Sequence, residues 1–123
     1  GQIWEAAMYA GSNGIENLCV ILDNNKFQNE KSIVETLNIN PIDLKWRAFG
    51  WEVITVNGHS LAELTNAFKK FINININKPT MIIANTVKGS GVDFMEENNE
   101  WHSKKLNEND YIESIKQLEK KLK

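Results

Sequence analysis

The chain has 123 residues, 41% hydrophobic and 24% charged, with a formal net charge of −2 at neutral pH. That usage is ordinary for one globular domain, and without a clustered basic excess it argues against a nucleic-acid surface. The single Cys19 rules out an internal disulfide and reads as a small core residue in a reducing, cytoplasmic compartment; no apolar run is long enough to span a membrane, and no signal-peptide pattern is visible.

Taken in order, Ile3, Ala6, Ala7 and Ala10 fall on one face of an opening helix that Gly11 and Gly14 are predicted to end. Leu18 to Leu22 is a short aliphatic run and reads as a buried strand of a parallel sheet. Gln28 to Asn40 has only weak periodicity. Pro41 then opens a short helix through Phe49, with Gly50 as its stop. Trp51, Val53, Ile54 and Val56 form a second strand, closed by the turn pair Asn57-Gly58. Ser60 with Glu63 is a capping-box signature, and the helix it opens carries the apolar stripe Leu61, Leu64, Ala67, Phe68 and Phe71. Asn73-Ile74-Asn75-Ile76-Asn77 reads as a biased loop before Pro79, and Thr80 to Val87 as the third strand. A glycine-containing loop runs to about Leu106. The last helix starts near Asn107, is predicted to bury Ile112, Ile115, Leu118 and Leu122, and ends in Lys120, Lys121 and Lys123, which suit the negative end of the helix dipole.

Strands alternating with amphipathic helices imply an α/β fold: a parallel sheet with helices on both faces, in three layers. With only three strands, such a sheet is expected to leave apolar surface for further chain to cover. Trp4, Trp46, Phe49 and Trp51 read as packing aromatics, and no linker or domain boundary is visible.

Three places carry chemistry. The first strand runs into Asp23-Asn24-Asn25-Lys26-Phe27, three oxygen-bearing side chains where ligands of open α/β sheets collect. Their oxygens suit a hard cation such as Mg²⁺ bearing a phosphate, and they suit an ordinary polar loop as well. Thr86-Val87-Lys88-Gly89-Ser90-Gly91-Val92 has glycines spaced for close backbone approach and a lysine for a phosphate, but not the Walker spacing; a plain turn is the alternative. His102, in Trp101-His102-Ser103, is a loop imidazole able to donate and accept near neutral pH, or simply a solvated side chain. His59, at Asn57-Gly58-His59-Ser60, reads as a turn and helix-start residue.

Gly1-Gln2-Ile3-Trp4-Glu5-Ala6-Ala7-Met8, Leu22-Asp23-Asn24-Asn25-Lys26-Phe27, Lys45-Trp46-Arg47-Ala48-Phe49-Gly50-Trp51 and Thr86-Val87-Lys88-Gly89-Ser90-Gly91-Val92 together closely resemble the thiamine diphosphate-binding portion of transketolases, over nearly the whole chain. The resemblance implies that Asn25 and the Phe27 carbonyl hold Mg²⁺, that Lys88 and Gly89 lie beside the cofactor, and that His102 contacts the cofactor diphosphate and the sugar substrate and assists proton transfer. Two departures stand out: His-Gly-x-x-Pro of the family is His102-Ser103-Lys104-Lys105-Leu106 here, and the glycine that usually follows the metal loop is absent from Gln28-Asn29-Glu30-Lys31.

The family's opening Gly-Asp-Gly would lie upstream of Gly1, and the chain starts without Met inside a helix, so residues 1–123 read as the C-terminal part of a single thiamine diphosphate-binding domain. The implied activity is reversible transfer of a two-carbon ketol unit between sugar phosphates, using thiamine diphosphate and Mg²⁺. It implies a separate pyrimidine-binding C-terminal subunit or domain whose glutamate activates the ring, hence a hetero- or homo-oligomer, with neither half active alone. The rival readings are another thiamine enzyme, such as a deoxyxylulose-phosphate synthase, and a non-catalytic α/β assembly subunit.

Overall fold

The computed structural model of the chain describes all residues but Glu30, Ile74, Asn75, Leu122 and Lys123. In chain order the elements are α1 (Gln2–Ser12), β1 (Cys19–Asn24), β2 (Phe27–Gln28), β3 (Lys31–Ser32), α2 (Ile33–Thr36), α3 (Ile42–Ala48), β4 (Glu52–Asn57), α4 (Leu61–Asn73), β5 (Thr80–Asn85), a 3₁₀ turn (Asn99–His102) and α5 (Glu108–Lys121). They divide into two compact units, Gly1–Asn24 with Ile39–Thr86, and Asn25–Asn38 with Val87–Lys123. No boundary was visible in the sequence because each unit is assembled from two separated segments.

The first unit is the α/β fold. Its strands run parallel in the order β1-β5-β4, with Ile82 at the centre opposite Ile21 on one side and Ile54 on the other. The inner strand β5 is covered on both faces, which is why Met81 and Ile82 are 1% and 0% exposed and why its sequence is a continuous apolar run rather than an alternating one. On one face Val53, Met81 and Ile83 pack with Ala7 and Ala10 of α1, Ile42 and Trp46 of α3, and Trp51. On the other, Val56, Ile82 and Ala84 pack with Ala67 of α4, with Cys19, Ile54 and Leu64 at the margin. Each fully buried Ile or Met there contributes roughly 1.5–3 kcal/mol of transfer free energy. The four aromatics are packing residues: Trp46 meets Trp51 edge-on at 4.7 Å, Trp4 lies 6.0 Å from Trp46 and from Phe49, and Trp51 Nε1 donates to the Ala7 carbonyl at 2.8 Å.

Several boundaries and faces differ from the sequence reading. The buried stripe of α1 is Trp4, Ala7 and Ala10, whereas Ile3 is 67% exposed and Ala6 is exposed too. Gly11 does not end α1. It lies in the helix because a Cβ there would sit 1.8 Å from the Phe49 carbonyl oxygen, so the glycine serves close packing. On α4, Leu64 and Ala67 face the sheet and Leu61 is 79% exposed. Only half of the Ser60–Glu63 box forms: the Glu63 N–H donates to Ser60 Oγ, but the Glu63 carboxylate accepts from the Asn57 N–H at 2.8 Å. β1 extends past Leu22 to Asn24, and β5 stops at Asn85 rather than Val87. Within the Asn73–Asn77 run, Asn73 closes α4, and the reading of Ile74 and Asn75 falls outside the described residues.

The second unit is held differently. The weakly periodic stretch after Phe27 is a small antiparallel hairpin, β2 on β3, with Phe27 opposite Ser32 and Gln28 opposite Lys31. The single turn of α2 follows, closed by a full capping box in which Glu35 N donates to Ser32 Oγ while the Glu35 carboxylate accepts from Ser32. α5 starts on a reciprocal pair, Asp110 N to Asn107 Oδ1 at 2.9 Å and Asn107 N to Asp110 Oδ2 at 3.2 Å. Its apolar face is not buried as predicted: Ile112, Ile115 and Leu118 are 43%, 39% and 39% exposed, and the buried residue is Ser114. Periodicity marks an apolar face without saying that anything covers it. Leu122 and Lys123 fall outside the described residues. Polar bonds tie α5 down instead, with Gln117 accepting from Asp93 N at 2.7 Å and Lys121 3.3 Å from Asp93 and 3.6 Å from Glu96.

Candidate functional site

At the carboxyl end of the sheet, all three strands finish in asparagine, and the register sets Asn24, Asn85 and Asn57 in one row. Asn24 Nδ2 donates to Asn85 Oδ1 at 2.7 Å, and Asn57 Oδ1 accepts from the His59 N–H at 3.0 Å. Asp23 accepts from the hydroxyl of Thr86, the residue after β5. Two of the three oxygen-bearing side chains singled out at this strand end, Asp23 and Asn24, are thus strand residues bound to their neighbours. The row itself was missed; its signal was an asparagine ending each strand, but register is not visible in a single strand. His59 keeps its turn role, its N–H capping Asn57 as described.

Asn25, the third, is the first residue beyond β1 and belongs to the second unit. Its Oδ1 accepts from the Phe27 N–H at 2.9 Å, closing an Asx turn around Lys26, whose φ is +67°. A lysine held in the left-handed region is uncommon, since its Cβ crowds the backbone there. The Ile33 N–H donates to the Lys26 carbonyl at 2.9 Å, so the Phe27–Ser32 pair is of the type that exchanges no ladder hydrogen bonds. The hairpin therefore does not use the Phe27 carbonyl between its strands. Asn29, at the hairpin tip, has φ +47°, a conformation asparagine tolerates better than other side-chain-bearing residues.

Lys88, Gly89 and His102 lie in the same unit as Asn25 and Phe27. Lys88 Nζ and His102 Nδ1 are 3.2 Å apart. With the Lys88 ammonium as donor, Nδ1 is the acceptor and the ring would carry its proton on Nε2, one N–H donor to offer. Gly89 has φ +76°, and a Cβ on it would lie 2.3 Å from the Met95 carbonyl oxygen. The close approach inferred from this glycine is thus satisfied within the loop, which also forms the Ser90 N to Val87 O turn at 3.1 Å.

His102 closes a 3₁₀ turn that its neighbours anchor. Asn98 Oδ1 accepts from the Glu100 N–H at 3.1 Å, Trp101 Nε1 donates to the Phe94 carbonyl at 3.0 Å, and the Phe94 and Trp101 rings are 5.2 Å apart. Lys104 lies over the Trp101 ring at 4.3 Å, so the lysine that departs from the family pattern packs on this anchor. Beside the turn is a cleft of about 430 Å³ lined by Asn98, Asn99, Glu100, His102 and Ser103. Asn98 and Asn99 were not singled out from sequence; their side chains act through backbone bonds that a residue pattern does not display.

Elsewhere, burial pushes the Cys19 thiol above its ordinary range, consistent with an inert core cysteine. No helix among the described residues is long and apolar enough to cross a membrane.

Comparison with known proteins agrees with the resemblance. The family model of the transketolase thiamine diphosphate-binding domain matches residues 1–122. The chain is 39% identical over 120 residues to the 6-deoxy-6-sulfo-D-fructose transketolase subunit SqwG of Clostridium sp. (strain MSTE9), covering 98% of this chain and 43% of that one. It is 36% identical over 109 residues to the transketolase of Rattus norvegicus, covering 89% of this chain and 17% of the relative. The crystal structure of transketolase from Campylobacter jejuni superposes with a TM-score of 0.84 at 28% identity, covering 94% of this chain and 18% of that one. The chain thus spans less than half the length of these relatives, and with its parallel sheet and its match over residues 1–122 it belongs to the transketolase family, within the thiamine diphosphate-binding domain.

Proposed function

We propose that residues 1–123 are the C-terminal part of one thiamine diphosphate-binding domain and that the complete protein, in the cytoplasm, transfers a two-carbon ketol unit from a ketose phosphate to an aldose phosphate. The observation that carries this reading is that the Asn25–Phe27 turn and the Lys88–His102 pair fall in one compact unit of a transketolase-family chain.

The residues present suit the cofactor. Mg²⁺ commonly takes one or two protein oxygens and completes its shell with phosphates and water. The Asn25 amide oxygen and the Phe27 carbonyl are oxygens of that kind, two residues apart on a turn and a hairpin that fix their backbone. An ion shared with a diphosphate is the arrangement that fits two such oxygens. Thiamine diphosphate, when bound, supplies the stabilised carbanion chemistry that no side chain offers.

The chain's own residues bind and orient. Lys88 provides a positive charge for the phosphate end, and Gly89 lines it from a loop that packs on Met95. His102, held by Lys88 as the Nε2–H tautomer, donates that proton toward diphosphate or sugar oxygens and can exchange it during turnover. The polar cleft beside it suits a hydroxyl-rich ligand. The pyrimidine-binding half comes from a second subunit or domain; a relative that is itself named a subunit supports this division.

With that half present, the protein is expected to exchange two-carbon units between a ketose phosphate and an aldose phosphate and to leave pyruvate with a triose phosphate unreacted. Turnover of the pyruvate pair alone would reassign it as a deoxyxylulose-phosphate synthase. Cofactor binding with no turnover of either would make it an assembly subunit.

A further inference from the structure

We propose that Asn99 is a positioning residue for the metal loop, holding the tip of the β2–β3 hairpin to the turn that carries His102; this rests on the reading of Asn25 and Phe27 as Mg²⁺ ligands. The hairpin pairs only two residues on each side, too few to hold its own shape in water. Its tip holds Asn29 at φ +47°. The carbonyl of that same Asn29 accepts a hydrogen bond from Asn99 Nδ2.

Among the described residues Asn99 Oδ1 is buried with no hydrogen-bond partner. A peptide carbonyl needs a donor, so the amide cannot be flipped to satisfy Oδ1 without losing the Asn29 bond. The side chain thus leaves one polar atom unsatisfied while clamping the turn. Asn99 is also well seated to act as a clamp, since it opens the 3₁₀ turn ending at His102, whose next residues are fixed by Asn98 and by Trp101 on Phe94. One side chain thereby sets the hairpin of Asn25 and Phe27 relative to the turn of His102, within a single compact unit.

The test uses the intact protein with its pyrimidine-binding half and thiamine diphosphate, titrated with Mg²⁺ in a calorimeter, and measures amide exchange across the hairpin without cofactor. Asn99→Ala and Asn99→Asp, the second keeping the shape but presenting only acceptors to Asn29, are expected to speed exchange at the hairpin amides. Both should weaken Mg²⁺ binding by about 10- to 100-fold, the usual effect of losing a residue that orients a metal ligand, and saturating Mg²⁺ should restore cofactor binding. If Asn99→Ala does not fold, Asn99→Ser replaces it. Unchanged exchange and unchanged Mg²⁺ affinity in the folded variants overturn the inference. If Asn25→Ala weakens Mg²⁺ binding and the Asn99 variants do not, only this inference fails; if Asn25→Ala has no effect either, the metal-loop reading itself fails.

Discussion

The two units of this chain are stabilised by different means. Of the described buried hydrophobic residues, all but Val92 belong to the sheet unit, where Met81, Ile82 and Ile83 form its centre. The other unit is built from left-handed turns, capping boxes and asparagine bonds to backbone, and it carries all five of Asn25, Phe27, Lys88, Gly89 and His102. The contrast teaches what kind of structure the proposed site is lodged in. A packed sheet gives rigidity, while polar loops give donors and acceptors that a ligand can use.

The largest effect that would test this division is in the sheet unit. Trp51→Ala removes a ring that packs edge-on to Trp46 and donates to the Ala7 carbonyl. It is expected to cost roughly 3–5 kcal/mol of global stability, measured by chemical denaturation. A loss below about 1 kcal/mol would break the claim that this unit is held by its aromatic core.

Gly89→Ala probes the loop unit. The substitution places a side chain at φ +76° and drives it into the Met95 carbonyl, at a cost of roughly 1–3 kcal/mol in backbone strain alone. Because few apolar contacts tie this loop down, the loss should appear as faster exchange at Val92 and Glu97, whose N–H groups donate to the Gly89 and Lys88 carbonyls. Sheet amides such as that of Ile82 should stay protected. Exchange accelerated equally in both units would erase the distinction between them.

The smallest effect is a pH dependence. The Ser32 hydroxyl, and after it the Ser32 N–H, hold the Glu35 carboxyl below the ordinary glutamate range. A depressed carboxyl stabilises the folded form above its unfolded pKa and loses that contribution as pH falls through the folded value. Acidification should therefore loosen the cap of α2. Following Glu35 and the Ser32 amide by NMR during an acid titration checks this, and a Glu35 carboxyl titrating like a free glutamate would contradict it.

The same contrast explains what was legible in the sequence. β4, β5 and α3 could be placed because apolar runs, Pro41 and Gly50 carry direct signals of burial and termination. The burial of α1 and α5 was misjudged at Ile3, Ala6, Ile112, Ile115 and Leu118, since an amphipathic face shows what could be covered and not what is. The β2–β3 hairpin escaped notice because two-residue strands have no period. The Ser32-x-x-Glu35 signature of α2 was present and would have revealed it. At the candidate site, residue types marked Asp23 to Asn25, Lys88 and His102, and the family resemblance chose Asn25 among the first three, but Asn99 and the asparagine row depend on backbone bonds and strand register that emerge only on folding.

The account rests on Asn25 presenting its amide oxygen to a metal ion shared with a diphosphate. The most direct test is calorimetric titration of thiamine diphosphate into the intact protein with its pyrimidine-binding half, with and without Mg²⁺, for the wild type and for Asn25→Ala. Mg²⁺-dependent binding is expected in the wild type and its loss in the variant, with the sheet unit keeping its stability. Equal, metal-dependent affinity in both would contradict it.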